Sequence, residues 1–141
     1  SAEPDFQVRN GLDSAELAQL WPGVNASAHS YLGTPYVWGG TTHSGIDCSA
    51  LMQNSYGENS VRLPRVSREQ CRSGKKVDGN LREGDLLFFN TMGVGVSHVG
   101  MVVDPQGPTF IHASSSKGVM VADLSKNYYQ KRYLGARRIV D

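Results

Sequence analysis

From residue 85 to the C-terminus the chain runs through five short segments, DLLFF, HVGMVV, TFIHA, GVMVA and YLGARRIV. Each is rich in β-branched or aromatic residues and has the length of a strand. DPQGP separates the second from the third and supplies the turn residues of a hairpin. The first half of the chain offers helix signals instead. Helices first and strands afterwards predict an α+β domain, with the helices packed on one side of a mainly antiparallel sheet of about five strands. A length of 141 residues suits one such domain with a real core.

The helix signals single out one reactive residue. Asp47 is a good N-cap, and the stretch after Cys48 stays helix-compatible up to Gly57. Cys48 therefore falls on a first helical turn, where unpaired N–H groups and the positive end of the helix dipole favour thiolate. Fast alkylation at pH 6, ahead of Cys71, is the expectation. His98 and His112 follow in strand-like runs, 50 and 64 positions later, and a compact fold can bring them back to Cys48. A thiol, a base and a group to orient that base make an activated nucleophile. The chain reads as a cysteine hydrolase.

Composition sets the outer limits. Hydrophobic content of 39% and charged content of 19% belong to an ordinary globule, and a net charge of +1 gives no footprint for nucleic acid. No apolar run is long enough to span a bilayer, and no signal peptide is present. Two cysteines and four histidines invite a metal reading, but no C-x-x-C or H-E-x-x-H spacing occurs. A Cys48–Cys71 disulfide is the other plain reading. A catalytic Cys48 must be free, leaving Cys71 as a buried or semi-buried structural thiol.

No internal repeat or composition break marks a second domain. The first ten residues read as loosely held. Asp13 predicts a short helix, SAELAQLW, that stops at Pro22, and Asn25 a second, ASAHSYL, closed by Gly33. GTPYVWGG is turn-rich and aromatic, neither helix nor regular strand. After Pro64, Ser67-Arg68-Glu69-Gln70 fits a capping box.

Taken in order, GTPYVWGG, GIDCSAL, LPRVSREQ, GDLLFF, SHVGMVV, FIHAS and GARRI resemble the NlpC-type cell-wall peptidases, papain-like cysteine enzymes that cut peptidoglycan stem peptides. The resemblance runs from about residue 25 to the C-terminus, so residues 25–141 are expected to be the catalytic domain and 1–24 an N-terminal extension. Ala50 departs from the family's usual glycine by one methyl group.

The resemblance implies roles. Cys48 would be the nucleophile, His98 the general base that later protonates the leaving amine, and His112 the residue that orients His98. Tyr36 and the Cys48 N–H would hold the oxyanion. Asp47 and Ser49 resemble residues that grip the free amine and the carboxylate of an L-Ala-γ-D-Glu moiety, and Trp38 and Ser67 match further substrate contacts. The implied bond joins γ-D-Glu to the diamino acid, and its hydrolysis needs no metal and no cofactor. The implied partner is a peptidoglycan stem peptide. The implied location is extracytoplasmic: periplasm, outer-membrane lipoprotein or secreted.

Plainer roles stand beside these. Asp47 is an N-cap whatever else it does, Ser67 reads equally well as a capping-box residue, and Trp38 equally well as core. His29 and His43 read as surface or packing residues, His43 being the nearer to the cleft. A related papain-like amidase, acyltransferase or transpeptidase would use the same apparatus. A non-catalytic wall-binding module would keep the groove without it.

Overall fold

A computed structural model describes residues 12–140. Helix α1 (Ser14–His29) is followed by a two-strand hairpin, β1 (Thr41–Thr42) and β2 (Gly45–Ile46), then α2 (Cys48–Gly57) and a short α3 (Ser67–Gln70). The sheet strands are β3 (Lys75–Lys76), β4 (Leu86–Phe89), β5 (His98–Asp104), β6 (Thr109–Ser114), β7 (Gly118–Asp123) and β8 (Tyr133–Arg138), with a one-turn α4 (Asn127–Gln130) before the last. The strands form one antiparallel sheet in the order β3-β8-β4-β5-β6-β7. The expected α+β architecture is present. The sixth strand is Lys75–Lys76, which pairs with Arg138 and Arg137 and carries no β-propensity of its own.

The amino-terminal helix differs from expectation. Asp13 and Glu16 form a full capping box, but α1 does not stop at Pro22; it runs through it to His29. Proline in a helix interior removes one backbone hydrogen bond and costs about 3 kcal/mol. The helix persists because Leu17, Leu20, Trp21, Val24 and Ala28 form one apolar stripe, with Val24 and Ala28 wholly buried against the core. Gly23 permits the close approach, since a Cβ there would collide with the Asn59 side chain. Asn25 is consequently a mid-helix residue and caps nothing. The expected division at residues 24 and 25 falls inside this helix, and the first ten residues lie outside the described part.

The core has two faces. Leu51, Met52, Ile46, Val99, Met101 and Ile111 lie between the helices and the sheet. Leu87, Phe89, Val102 and Phe110 form a smaller cluster on the far face, closed by Leu124 and Tyr129. Because strand side chains alternate, β5 and β6 feed both clusters, and the helical one seats α2 against β5 and β6. That packing sets the thiol helix beside the two histidine-bearing strands.

Candidate active site

Asp47 leaves β2 in an extended conformation and caps α2, accepting the Ala50 N–H at 2.9 Å. Its carboxylate also accepts the Gly39 N–H at 3.0 Å and both arms of Arg65, at 3.0 and 2.8 Å. Arg65 donates as well to Ser49 Oγ at 2.8 Å. Burial by itself would raise the Asp47 carboxyl, but these donors outweigh it and hold the group below the usual carboxylate range. Asp47 is therefore charged and fully partnered.

Cys48 opens the helix, 8% exposed, with the Val99 backbone N–H of β5 near enough to favour a charged sulfur. Both cysteines are free, which removes the disulfide reading. Cys71 is partly buried and donates its S–H to the Arg68 carbonyl at 3.0 Å. The expectation of a readily formed Cys48 thiolate needs correction. Burial pushes the thiol up; the Val99, Ser49 and Cys48 N–H groups pull it down, and the neighbouring Asp47 charge adds to the rise. Desolvation outweighs the helix terminus, and the net direction is upward.

His98 and His112 meet as expected. They lie on neighbouring strands, and His98 Nε2 is 2.9 Å from His112 Nδ1. Of the two His98 ring nitrogens, Nε2 is thus the one that His112 engages. Burial lowers His98 to about 4 and, with the His98 charge adding to it, His112 to about 3, so both rings are neutral at pH 7. His112 is 3% exposed, and its Nε2 lies 3.3 Å from Tyr129 Oη on α4.

Tyr36 is held beside this group by a parallel bridge to Ile46. Burial raises its hydroxyl, and the nearby Cys48 and Asp47 add to the rise, so it stays a protonated donor. Gly33 and Thr34 pair with Val119 on β7, and the left-handed Gly118 fits only because it has no Cβ, which would strike the Thr34 carbonyl.

The remaining candidates divide. Trp38 is 86% exposed and is not core. Ser67 is the first residue of α3, not its cap. Val66 takes the cap position without a side-chain bond, and Gln70 is drawn into the interior to donate to the Ser49 and Pro64 carbonyls. A wholly buried amide needs those acceptors more than the helix end needs a capping box. His43 is exposed and stacks on Tyr31 at 3.8 Å, with Nε2 3.1 Å from Ser30 Oγ. His29 donates Nδ1–H to the Asn25 carbonyl one turn earlier. Among the described residues no group of three or more His, Cys, Asp or Glu is placed to hold a metal ion.

With that geometry in place, the pattern of the NlpC/P60 family matches residues 33–138. The chain belongs to the NlpC/P60 family. This NlpC/P60 chain is 40% identical over 119 residues to the probable endopeptidase NlpC of Escherichia coli strain K12, covering 83% of itself and 77% of that protein. It is 41% identical over 110 residues to the murein DD-endopeptidase MepS/murein LD-carboxypeptidase of the same strain, covering 77% of itself but 57% of the relative. An NlpC/P60 family protein from Bacillus cereus ATCC 10987 superposes with a TM-score of 0.79 at 33% identity, over 86% of this chain and 40% of that one. The chain thus spans little more than half of MepS and less than half of the Bacillus protein. The NlpC/P60 relatives are named as endopeptidases, in agreement with the thiol-peptidase reading of the sequence.

Arg65 and Tyr129 went unread in the sequence. Arg65 had a signal, since a buried acidic N-cap requires a counter-charge and LPRVSREQ supplies one. Tyr129, in a polar link between strands, had none.

Proposed function

We propose that this domain is a cysteine endopeptidase of peptidoglycan stem peptides, cutting between γ-D-Glu and the diamino acid. The observation that carries the reading is the 2.9 Å His98–His112 contact on strands packed against the helix that begins with Cys48. His98 is neutral and takes the thiol proton as sulfur attacks the carbonyl, so the thiol need not ionise beforehand. The tetrahedral oxyanion is received by the Cys48 N–H, one of the donors a helix leaves unpaired in its first turn, and by the Tyr36 hydroxyl. Collapse expels the amine, protonated by His98, and water resolves the acyl-enzyme. His112 Nδ1 accepts a hydrogen bond from His98 Nε2–H and steadies the imidazolium. Exposed Trp38 and the Ser67 side chain on α3 are offered as rim contacts for the stem, and Ser49 as a contact for its carboxylate.

The chemistry requires neither metal nor cofactor. Its substrate places the enzyme outside the cytoplasm, and among the described residues no helix is long and apolar enough to cross a membrane.

A second reading has one observation behind it. The relative named as a DD-endopeptidase and LD-carboxypeptidase is as similar as the one named NlpC, which favours a cut at the D-Ala cross-link or at the stem's end. Digestion of purified tetrapeptides and cross-linked dimers, with products identified by mass, separates the two. Release of L-Ala-γ-D-Glu supports the first; intact dipeptide ends with resolved dimers support the second. Amine-linked products in place of free acids would mark a transpeptidase. No cleavage by wild type, with stem peptide still bound, would mark a binding module.

A further inference from the structure

The His98–His112 contact is compatible with two proton arrangements. With His112 protonated on Nε2, its Nδ1 accepts from His98 Nε2–H, and His98 keeps a lone pair on Nδ1. With His112 protonated on Nδ1, the direction reverses, and neutral His98 must hold its proton on Nδ1. Only the first arrangement leaves a base for the thiol. The choice falls on whatever faces His112 Nε2, and that group is the Tyr129 hydroxyl at 3.3 Å.

We propose that Tyr129 is the positioning residue that fixes His112 in its Nε2–H form and so keeps the His98 Nδ1 lone pair free. This rests on the reading of His98 as the base. His112 is 3% exposed, and a buried N–H without an acceptor is costlier than a buried lone pair without a donor. Tyr129 Oη supplies the acceptor, while its own hydrogen turns outward, since Tyr129 is only partly buried. The acceptor matters most as His98 becomes imidazolium. Then His98 must donate from Nε2, His112 must accept on Nδ1, and its Nε2–H is pressed further onto Oη. A 3.3 Å separation at rest leaves room to tighten at that moment.

The surroundings suit a fixed acceptor. The Tyr129 ring stands edge-on to His112, with centroids 5.6 Å apart at 84°. It meets Phe110 at 90° and Phe89 at 64°. Its helix is tied down by Gln130, which donates to the Leu124 carbonyl at 2.8 Å. Removing the hydroxyl alone leaves all of this packing in place.

The test is Tyr129→Phe, with Tyr128→Phe as control; Tyr128 lies on the same turn, is 53% exposed and holds Arg132 over its ring. Imidazole nitrogen shifts by NMR report the tautomers, and steady-state assays on a stem peptide separate kcat from KM. Tyr129→Phe should lower kcat about three- to tenfold, the worth of one neutral hydrogen bond, with KM unchanged. His112 should be Nε2–H in wild type and shift towards Nδ1–H in the variant, and Tyr128→Phe should match wild type in both. A wild-type His112 on Nδ1, an unchanged tautomer in Tyr129→Phe, or an equal kcat loss in Tyr128→Phe overturns the proposal. The wild-type spectrum decides alone if Tyr129→Phe does not fold. A wild type that cuts no stem peptide would sink the proposed function yet leave the tautomer measurement standing.

Discussion

Arg65 grips Asp47 with both arms of its guanidinium, Nη1 to Oδ1 at 3.0 Å and Nη2 to Oδ2 at 2.8 Å. The pair ties the segment after Pro64 to the residue that caps the Cys48 helix. Arg65→Met removes both bonds and leaves a carboxylate, only 12% exposed, short of its two charged donors. The arginine itself is 35% exposed, so the loss is discounted to about 1–3 kcal/mol of stability by denaturant unfolding. Adding Asp47→Asn, which still caps, should restore part of it. Unchanged stability in Arg65→Met would mean that the pair only decorates the surface.

The same contacts bear on the substrate. A carboxylate offers about four lone-pair sites, and Asp47 already meets four N–H donors, from Ala50, Gly39 and Arg65. A free L-Ala amine finds no vacant site there, so the enzyme should accept stems whose amine is acylated, as in intact glycan. Acetylated and free tetrapeptides should be cut within about threefold of each other, less than one hydrogen bond is worth. A strict demand for the free amine would show that Arg65 yields to substrate.

Thiol titration checks the resting protonation state. Burial raises Cys48, so its iodoacetamide labelling should rise with a midpoint above ~8.5, followed peptide by peptide by mass. A midpoint below ~7.5 would reveal a preformed thiolate–imidazolium pair and displace the general-base step. Cys48→Ala should remove at least ~10³-fold of the cleavage rate in either case.

The histidines make opposite contributions to activity and stability in acid. Unfolded, each binds its proton near pH 6.5; folded, His98 waits until about 4 and His112 until about 3. Between those values the unfolded chain holds more protons, so stability must fall as pH drops from 6.5 towards 4. Below about pH 4 the depressed Asp47 adds its own loss, because its charged form is the one held in the fold. Cleavage, which in the proposed mechanism needs only neutral His98, should keep its acid limb below pH 6. His98→Ala should lose activity as completely as Cys48→Ala, whereas His112→Ala should retain some; both should flatten the melting curve between pH 6.5 and 4. An acid limb above pH 6.5 would contradict the burial assigned to His98.

Much of this was legible because it is local. Apolar runs bounded by turn residues became β4 to β8, and Asp47 capped a helix that ends at Gly57 as its pattern implies. What escaped depends on partners distant in sequence. Pro22 is carried by the burial of Val24 and Ala28, and Lys75–Lys76 becomes a strand only because Arg137 and Arg138 pair with it. Gln70 forgoes a capping box because it is wholly buried beside the Ser49 and Pro64 carbonyls. In the site, the Cys48, His98 and His112 residue types were readable from spacing. The sign of the thiol's shift was not, since it depends on how deeply the helix start is covered.

The tie between Gly33, Thr34 and Val119 has an effect beyond holding Tyr36. β7 is the last strand of the sheet, and an open last strand is a template on which other chains pair and aggregate. Here the stretch leading to Tyr36 occupies part of that rim, and the opposite rim is a two-residue strand of lysines, too short and too charged to recruit a neighbour. The polypeptide that brings up Tyr36, the proposed oxyanion donor, therefore also shields the sheet. A substitution that loosened it, such as a side chain at Gly118, would lower catalysis and colloidal solubility together.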